Sequence, residues 1–275
     1  MILKRYDEID DNVQNIVLQE FNQIPIEELL KKTKLNKQEL ISLLIKNNIE
    51  YDIDLNKGKT IKENKILIIS DTHIGSEYEN ISYLDMVYEF AIKNNITKII
   101  HGGDLLQSTM KHVKQEYIDP EKQFKHFMSV YPNDRNITNY VTLGNHDLSI
   151  LDKFEKGINI FKPRKDIKIL GFKRTYINWN DTTISILHEC PKYQLEIPNL
   201  QTIVNLHGHR HNIKVSDTGS IHIPTLSDNV MSYGNNDNPY PGFLVAYIDK
   251  NNLYIEHYII KSKIKNKGIV FTKHI

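Results

Sequence analysis

The chain has 275 residues, of which 40% are hydrophobic and 25% charged, a composition typical of an ordinary globular protein. The formal net charge of +1 excludes a protein that holds nucleic acid through an overall basic charge. A single cysteine, Cys190, excludes an intrachain disulfide framework. The first residues lack the apolar core of a signal peptide, and no apolar run approaches the roughly 18 residues of a membrane span. We therefore expect a cytoplasmic protein that does not contact membranes.

Residues 1–60 predict a small all-helical domain. Apolar residues recur there at helical spacing, as in Leu40, Leu43 and Leu44. Asn36, followed three residues later by Glu39, is typical of a helix N-terminus. The predicted order of helix, short turn and helix resembles a helix-turn-helix.

A basic stretch within this segment makes nucleic acid a candidate partner through residues 25–47. Its lysines are Lys31, Lys32, Lys34, Lys37 and Lys46. A local basic face of this kind is what a reader of nucleic-acid grooves needs. Residues 1–60 nevertheless contain nine Lys and Arg against eleven Asp and Glu, which favours a packing or oligomerisation module. The oligomeric state itself is left open.

Residues 61–275 predict an α/β domain. A polar linker is expected near residues 57–64, and strand-like apolar runs alternate with helical stretches beyond it. Strands are predicted at 65–70, 98–100, 139–143, 182–187 and 202–206. Helices are predicted at 82–94 and 121–130, and the chain beyond about residue 165 consists mainly of strands.

Polar residues directly follow each of the five predicted strands. They are, in chain order, Asp71 and His73, then Asp104, then Asn145, His146 and Asp147, then His188, and finally His209 and His211. Because α/β folds place their sites at strand ends, we expect these side chains to meet at one edge of the sheet. Carboxylate, imidazole and amide donors suit divalent ions such as manganese, iron or zinc. The pattern therefore predicts a metal site.

The spacing of His209 and His211 suggests two ions. Residues two apart in extended backbone point to the same side, so these imidazoles could straddle two ions about 3.5–4 Å apart. For His101 and His207 we expect structural roles, and we expect Arg210 to point away from the site.

The five short motifs DTH, GGD, GNHD, a lone His and GHRH occur in this order and resemble the calcineurin-like metallophosphoesterase superfamily. The resemblance covers about residues 62–255. It implies an α/β fold, a four-layer α/β/β/α sandwich of two mixed sheets, here preceded by the small helical domain.

The resemblance also implies a binuclear metal site. Asp71, His73 and His211 would bind one ion, Asn145, His188 and His209 the other, and Asp104 would bridge both. We expect two divalent ions, manganese first, with iron, zinc or nickel as alternatives. A hydroxide held between the ions would attack phosphorus.

Two further residues receive catalytic roles from the resemblance. His146 would protonate the leaving oxygen as general acid, or steady the phosphate as a donor. Asp147 would orient His146 from behind. The alternative for Asp147 is a helix or turn cap, because Asp caps well.

The form of two motifs bears on the class of substrate. The chain lacks the Asp-Arg-Gly that follows Gly-Asp in the family's protein phosphatases, and its GDLL and GNHD forms resemble the phosphodiesterase and repair-nuclease branches. A phosphodiesterase is predicted first, with a DNA or RNA nuclease and a phosphomonoesterase as alternatives. The alternative that is not an enzyme is a DNA-binding regulator that uses the fold to sense a ligand.

Overall fold

A computed structural model describes residues 9–21, 26–36, 60–108, 117, 119–151, 160–172, 174–188, 202–228 and 240–275, together with residues 23–24, 39–40, 43–44, 47 and 153–154. The described residues fall into two compact units, a helical one up to residue 47 and an α/β one from residue 60 onward.

The helical unit contains α1 (Asp11–Glu20) and α2 (Ile26–Thr33). Asp10 caps the start of helix α1, and its side chain accepts a hydrogen bond from Asn12 N–H at 2.9 Å. The predicted cap is confirmed as a reciprocal pair: Glu39 N–H donates to Asn36 Oδ1 at 3.0 Å, and Asn36 N–H donates to Glu39 Oε2 at 2.9 Å. A separate apolar core holds the unit together, formed by buried Ile9, Val17, Phe21, Leu29, Leu35, Leu40, Leu43 and Leu44.

The α/β unit is built from strands and three described helices. The strands are β1 (Thr60–Ile61), β2 (Lys65–Ile69), β3 (Lys98–His101), β4 (Thr138–Leu143), β5 (Ile167–Phe172), β6 (Arg174–Trp179), β7 (Thr182–Leu187), β8 (Val204–His207), β9 (Lys214–Val215), β10 (Ser220–His222), β11 (Gly242–Asp249), β12 (Asn252–Ile260) and β13 (Ile264–His274). The helices are α3 (Ile81–Lys93), α4 (Pro120–Val130) and α5 (Asn145–Leu151).

The strands form two mixed sheets, as the fold class predicted. One sheet has seven strands in the order β13-β12-β11-β2-β3-β4-β5, and the other has six in the order β1-β6-β7-β8-β10-β9. Strands β2 to β5 are parallel, and so are β7, β8 and β10. In each parallel group the carboxyl ends of the strands therefore lie at one edge.

Alternation along β2 shows how the layers pack. Leu67 and Ile69 are buried in a core shared with helices α3 and α4. Ile66 and Ile68 point the other way, into a second core between the two sheets. Burying each such side chain contributes about 1.5–3 kcal/mol, so β2 is fixed in position from both faces. The residues that follow it are held accordingly.

The core on the helix side of the seven-stranded sheet positions the helices that connect its strands. Helix α3 buries Leu84, Val87, Tyr88 and Ala91, a spacing of three and four residues that places them on one face. Asp119 caps the start of helix α4, where its side chain accepts a hydrogen bond from Lys122 N–H at 2.9 Å, and Pro120 occupies the first turn. Among the described residues, no helix is long and apolar enough to cross a membrane.

The predicted strands and helices are found with small shifts at their ends, but the predicted linker needs correction. Thr60 and Ile61 lie within it and form β1, which pairs in parallel with Asn178 and Trp179. Ile61 is fully buried, and this tertiary contact, not a local run of apolar residues, makes the strand. The predicted boundary at residue 60 stays a prediction.

Candidate metal centre

Nine predicted site residues follow the carboxyl ends of strands from both sheets. Asp71 and His73 follow β2, Asp104 follows β3, Asn145, His146 and Asp147 begin α5 after β4, His188 follows β7, and His209 and His211 follow β8. All are buried except Asn145 and His209, which are half-buried. We call the cluster of Asp71, His73, Asp104, Asn145, His146, His188, His209 and His211 the candidate metal centre.

Asp71, His73 and His211 form one potential metal-binding group within it. His73 Nε2 lies 3.2 Å from His211 Nε2, and Asp71 Oδ1 lies 3.3 Å from His211 Nε2 and 3.8 Å from His73 Nε2. Ligands adjacent on one ion lie roughly 3 Å apart, because metal–nitrogen bonds are about 2.0–2.1 Å long. These three side chains have the spacing of a shared ion.

Asp104, His188 and His209 form a second group. Asp104 Oδ2 lies 2.9 Å from His188 Nε2 and 4.0 Å from His73 Nε2. Asp104 is thus near both groups, as a bridging ligand would be.

Unsatisfied polar atoms show that the residues fit a metal. Among the described residues, Asn145 Oδ1 is buried without a hydrogen-bond partner, and Asp104 Oδ2 and His188 Nε2 have only the ion pair that they form with each other at 2.9 Å. Buried polar atoms normally have partners, so this concentration of donor atoms calls for an ion or water. His188 donates its Nδ1–H to the Gly102 carbonyl at 2.7 Å, which leaves Nε2 as the donor atom for a metal.

Backbone groups hold the acidic ligands in position. His209 N–H donates to both carboxylate oxygens of Asp71 at 3.1 Å, and His146 N–H donates to Asp104 Oδ1 at 2.9 Å. The Thr225 hydroxyl donates to the Asp71 carbonyl at 2.8 Å. These contacts fix the carboxylates without using the oxygen of Asp104 that faces the imidazoles.

Five of the predicted ligands have left-handed backbone. The values of φ are +56° at Asp71, +45° at His73, +54° at Asp104, +72° at His209 and +60° at His211. Non-glycine residues adopt this conformation at an energetic cost, and such residues cluster at functional sites. Concentrated strain at the ligands supports a functional role for the cluster.

This geometry corrects the prediction that His209 and His211 lie in extended backbone. Strand β8 ends at His207, and both later histidines have positive φ. A turn, not a strand, therefore delivers them to different metal-binding groups.

The electrostatics leave the carboxylates ionised. Burial opposes ionisation of Asp104, but the positive charges of His188 and His146 outweigh it and hold the pKa of the carboxyl well below its ordinary value. Burial also opposes ionisation of Asp71, and His211 similarly keeps its pKa low. Burial lowers the pKa of His73 to about 3, so its imidazole is neutral and available as a ligand. Burial disfavours protonation of His188, but Asp104 raises its pKa to about 10, so metal binding there displaces a proton.

His146 faces the candidate metal centre from α5. Its Nδ1–H donates to the Gln107 carbonyl, which turns Nε2 to within 4.0 Å of Asp104 Oδ2. The ring lies edge-on to His73, with centroids 4.8 Å apart. This geometry also groups His146 with His73 and Asp104 as a potential ligand set.

Asp147 does not make the contact that was predicted for it. Its Oδ1 accepts a hydrogen bond from Leu106 N–H and its Oδ2 from Gly144 N–H, both at 2.9 Å. The group on His146 Nδ1 is the Gln107 carbonyl instead. Asp147 thus acts as the turn cap that was its alternative, because a carboxylate in the first turn of α5 can reach back to the Gly144 N–H. Burial and the charge of Asp104 raise its pKa to about 7.

Three contacts around the cluster have no signal in the sequence. They are the carbonyls of Gly102 and Gln107 and the hydroxyl of Thr225. Backbone carbonyls are common to every residue type, so no side-chain pattern could have identified them. Gly144 does follow from the motif: a Cβ there would overlap Asp104 Oδ1 and lie 2.6 Å from His188 Cδ2.

The remaining residues singled out in the sequence lie around the site or outside the described residues. His207 Nε2 lies 2.9 Å from the Ser220 hydroxyl, and His101 Nδ1 accepts from Gly103 N–H at 3.1 Å, so both make structural contacts. Arg210 is exposed. Cys190 lies outside the described residues, and so does part of the segment 25–47.

Comparison with known proteins identifies one family. The sequence model described as "Calcineurin-like phosphoesterase" matches residues 64–261. A search of curated proteins found no match.

Solved structures with a similar arrangement have low sequence identity. Vps29 from Chaetomium thermophilum is 13% identical with a TM-score of 0.47, and the match covers 77% of this chain and 99% of that one. Vacuolar protein sorting 29 from Cryptosporidium parvum is 12% identical with a TM-score of 0.46, covering 77% and 98% of the two chains. The phosphoesterase YfcE from E. coli is 15% identical with a TM-score of 0.45, covering 77% and 99%.

Proposed function

The chain belongs to the calcineurin-like phosphoesterase family, and we propose that within it this protein is a phosphodiesterase that uses two divalent metal ions. Hydrolysis of phosphate esters with the help of metal is the activity of the family. The number of ions, their identity and the diester substrate are the parts that we propose.

The position of Asp104 carries the proposal of two ions. One carboxylate oxygen, Oδ2, lies 2.9 Å from His188 Nε2 and 4.0 Å from His73 Nε2, and these imidazoles belong to different metal-binding groups. A carboxylate that lies between two sets of ligands can bind the ions of both sets, which supports Asp104 as a shared ligand. We assign Asp71, His73 and His211 to one ion, Asn145, His188 and His209 to the other, and Asp104 to both.

When bound, such ions lower the pKa of water and offset negative charge on the phosphate. Carboxylate and amide oxygens suit manganese, and imidazoles suit iron, zinc or nickel, so we propose manganese first with these three as alternatives. The chain supplies these donors already fixed by the backbone N–H groups of His146 and His209. Little reorganisation is then needed when the substrate binds.

His146 is the proposed general acid. The Gln107 carbonyl holds its Nδ1–H, so a proton carried on Nε2 faces the candidate metal centre. Transfer of that proton to the leaving oxygen would complete cleavage of the ester bond. The alternative is that Nε2–H only positions a phosphate oxygen.

A diester is preferred on the form of the sequence motifs, and the alternatives are a nuclease and a phosphomonoesterase. A DNA-binding regulator is less favoured because all seven expected ligands are present in the sequence, and six of them fall into the potential metal-binding groups. A site retained only for sensing need not preserve all seven ligands.

A substrate panel tests the proposal. Purified protein reconstituted with manganese, iron, zinc or nickel would be assayed with bis-p-nitrophenyl phosphate, p-nitrophenyl phosphate, a cyclic nucleotide and DNA. We expect the diesters to be cleaved with at least tenfold higher kcat/KM than the monoester, and Asp71→Asn to abolish the rate. Exposed Asp85→Asn is the matched control. Preference for the monoester would contradict the diester assignment, and binding without turnover of any ester would favour the regulator.

Nucleic-acid contact by the helical segment and a cytoplasmic location both stay predictions. In α2, Lys31 and Lys32 lie in the last turn, and Lys32 forms an ion pair with Glu20 of α1. Nucleic-acid contact by residues 25–47 is a proposal. A cytoplasmic location is likewise a proposal.

A further inference from the structure

A lysine-rich hairpin lies outside the candidate metal centre and has no role in the proposed chemistry. Lys261, Lys263, Lys265 and Lys267 all lie around the turn between β12 and β13, and all four are exposed. Residues 257–275 contain five lysines and no Asp or Glu, whereas the whole chain has a net charge of +1. Residues 257–275 therefore form a locally basic segment in a chain that is nearly neutral overall.

An exposed aromatic ring stands within this cluster. Tyr240 is 39% exposed, and Lys261 Nζ lies 3.7 Å from the centroid of its ring. Hydrogen bonding and the charge of Lys261 lower the pKa of the Tyr240 hydroxyl, and the charges of Lys265 and Lys267 lower it further. The result is an aromatic face bordered by cations.

Backbone hydrogen bonds connect this surface to the candidate metal centre. Ile260 N–H donates to the Pro241 carbonyl at 2.8 Å, and Gly242 N–H donates to the Thr225 carbonyl at 3.0 Å. Thr225 in turn bonds to the carbonyls of Asp71, at 2.8 Å, and His211, at 3.2 Å.

The distance across the sheet is correspondingly short. Tyr240 and Lys261 are the chain neighbours of Pro241 and Ile260, at the end of the sheet where Asp71 follows β2. Strands β12, β11 and β2 are consecutive in the sheet, so Lys261 lies about 10 Å sideways from Asp71, two strand spacings of roughly 4.8 Å. A substrate of a few linked units can span that distance.

We propose that the surface formed by Tyr240, Lys261, Lys263, Lys265 and Lys267 binds a single-stranded nucleic acid whose scissile phosphodiester lies at the candidate metal centre. The inference rests on the proposed diesterase function. Lysines pair with successive phosphates without reading sequence. An exposed tyrosine offers a ring face on which an unpaired base can stack. The bases of a double helix are already paired and stacked, so a single strand is the better fit.

Binding of a labelled single-stranded DNA 20-mer, measured by fluorescence anisotropy over a range of salt concentrations, tests the proposal. Full-length, metal-loaded protein would be used with phosphorothioate linkages that resist hydrolysis. The variant is Lys261→Gln/Lys265→Gln/Lys267→Gln. The control is Lys62→Gln/Lys93→Gln/Lys250→Gln, three exposed lysines toward the opposite end of the seven-stranded sheet with the same loss of charge.

The hairpin variant should bind more weakly and with less dependence on salt. Each phosphate contact on a single strand contributes about 0.7 to the slope of log K against log salt concentration, so losing three lowers its magnitude by about 2. The control should keep the wild-type slope. Tyr240→Ala should weaken binding roughly five- to 150-fold, the fold-change for one stacked base, and Tyr240→Phe should restore it.

Equal slopes for the hairpin variant and the control would overturn the proposal. So would loss of binding to vesicles containing phosphatidylserine with unchanged DNA binding, because the surface would then recognise a membrane. Hydrolysis of bis-p-nitrophenyl phosphate by the wild-type protein reports the diesterase function separately. If the wild-type protein hydrolyses the diester but the hairpin variant and the control have equal salt slopes, only the nucleic-acid surface is rejected. If the hairpin variant has a reduced salt slope but the wild-type protein does not hydrolyse the diester, only the diesterase function is rejected.

Discussion

His73 Nε2 lies 3.2 Å from His211 Nε2, although 138 residues separate them in the chain. His73 follows a strand of the seven-stranded sheet, and His211 follows a strand of the six-stranded sheet. Because the pKa of His73 is lowered to about 3, its ring is neutral at ordinary pH, and its Nε2 can share a hydrogen bond with His211 Nε2 or bind a cation together with it. The proposed function depends on this meeting of the two sheets.

Gly144 is required for the ligands to approach each other. A Cβ at this position would overlap Asp104 Oδ1 and lie 2.6 Å from His188 Cδ2. Gly144→Ala should therefore displace ligands of the second ion and weaken metal binding about 10–100-fold, the range found when groups supporting a metal site are altered. Calorimetric titration with manganese measures the change.

Gly268→Ala is the control for this prediction. Gly268 has φ of +97° but nothing within 4 Å of an added Cβ, so the change introduces backbone strain without a steric clash. It should lower stability and leave the metal affinity as it was. Equal loss of metal affinity in both variants would contradict the steric explanation.

His146→Ala should keep the bound metal and lose rate. General acid catalysis contributes about 10²–10⁴-fold, and the loss should depend on the leaving group. A p-nitrophenolate departs without a proton, so its rate should fall least, whereas a deoxyribose oxygen needs the proton and its rate should fall most. Steady-state rates with both esters, together with elemental analysis, measure this.

The same variant separates three roles for His146. Loss of metal would make it a ligand, as its grouping with His73 and Asp104 allows. An equal fall for good and poor leaving groups would make it a donor that positions phosphate. His146→Gln, which keeps a side-chain donor, should then recover part of the rate.

Asp147 should make the metal-free protein less stable as the pH rises. Burial and the charge of Asp104 raise its pKa from the ordinary 3.8 to about 7. Between these values the folded protein keeps a proton that the unfolded chain has released, so the free energy of unfolding falls with rising pH. Asp147→Asn resembles the protonated form and should gain stability relative to the wild type between pH 4 and pH 7.

Urea denaturation in chelator at pH 5 and pH 7.5 checks this sign. The difference between the two proteins is the relevant quantity, because titration of the buried histidines cancels in it. Exposed Asp85→Asn should show a constant difference over the same range. A constant difference for Asp147→Asn as well would show that its carboxyl is not perturbed.

Much of the fold could be predicted because β2, β3 and β4 are apolar runs followed at once by polar residues. Their parallel pairing then brings Asp71, Asp104 and Asn145 to one edge. The capping pair of Asn36 and Glu39 was equally visible, because its geometry depends on residues three apart.

The remaining features depend on contacts between distant parts of the chain. Ile61 becomes a strand residue only because it pairs beside Trp179. Asp147 was expected to orient His146, but the positions of Leu106 N–H and the Gln107 carbonyl decided otherwise. The turn at His209 and His211 is a third case, since alternation in sequence does not reveal where β8 ends.

The most direct test of the central claim is the metal content of the protein. The claim is that two divalent ions share Asp104, whose Oδ2 lies near ligands of both groups. Elemental analysis after reconstitution with manganese and removal of free ions should give two equivalents per chain for the wild type and for Asp85→Asn. Asp104→Asn should retain less than one equivalent and nearly no activity. One equivalent or less in the wild type, or unchanged content in Asp104→Asn, would contradict the two-metal account.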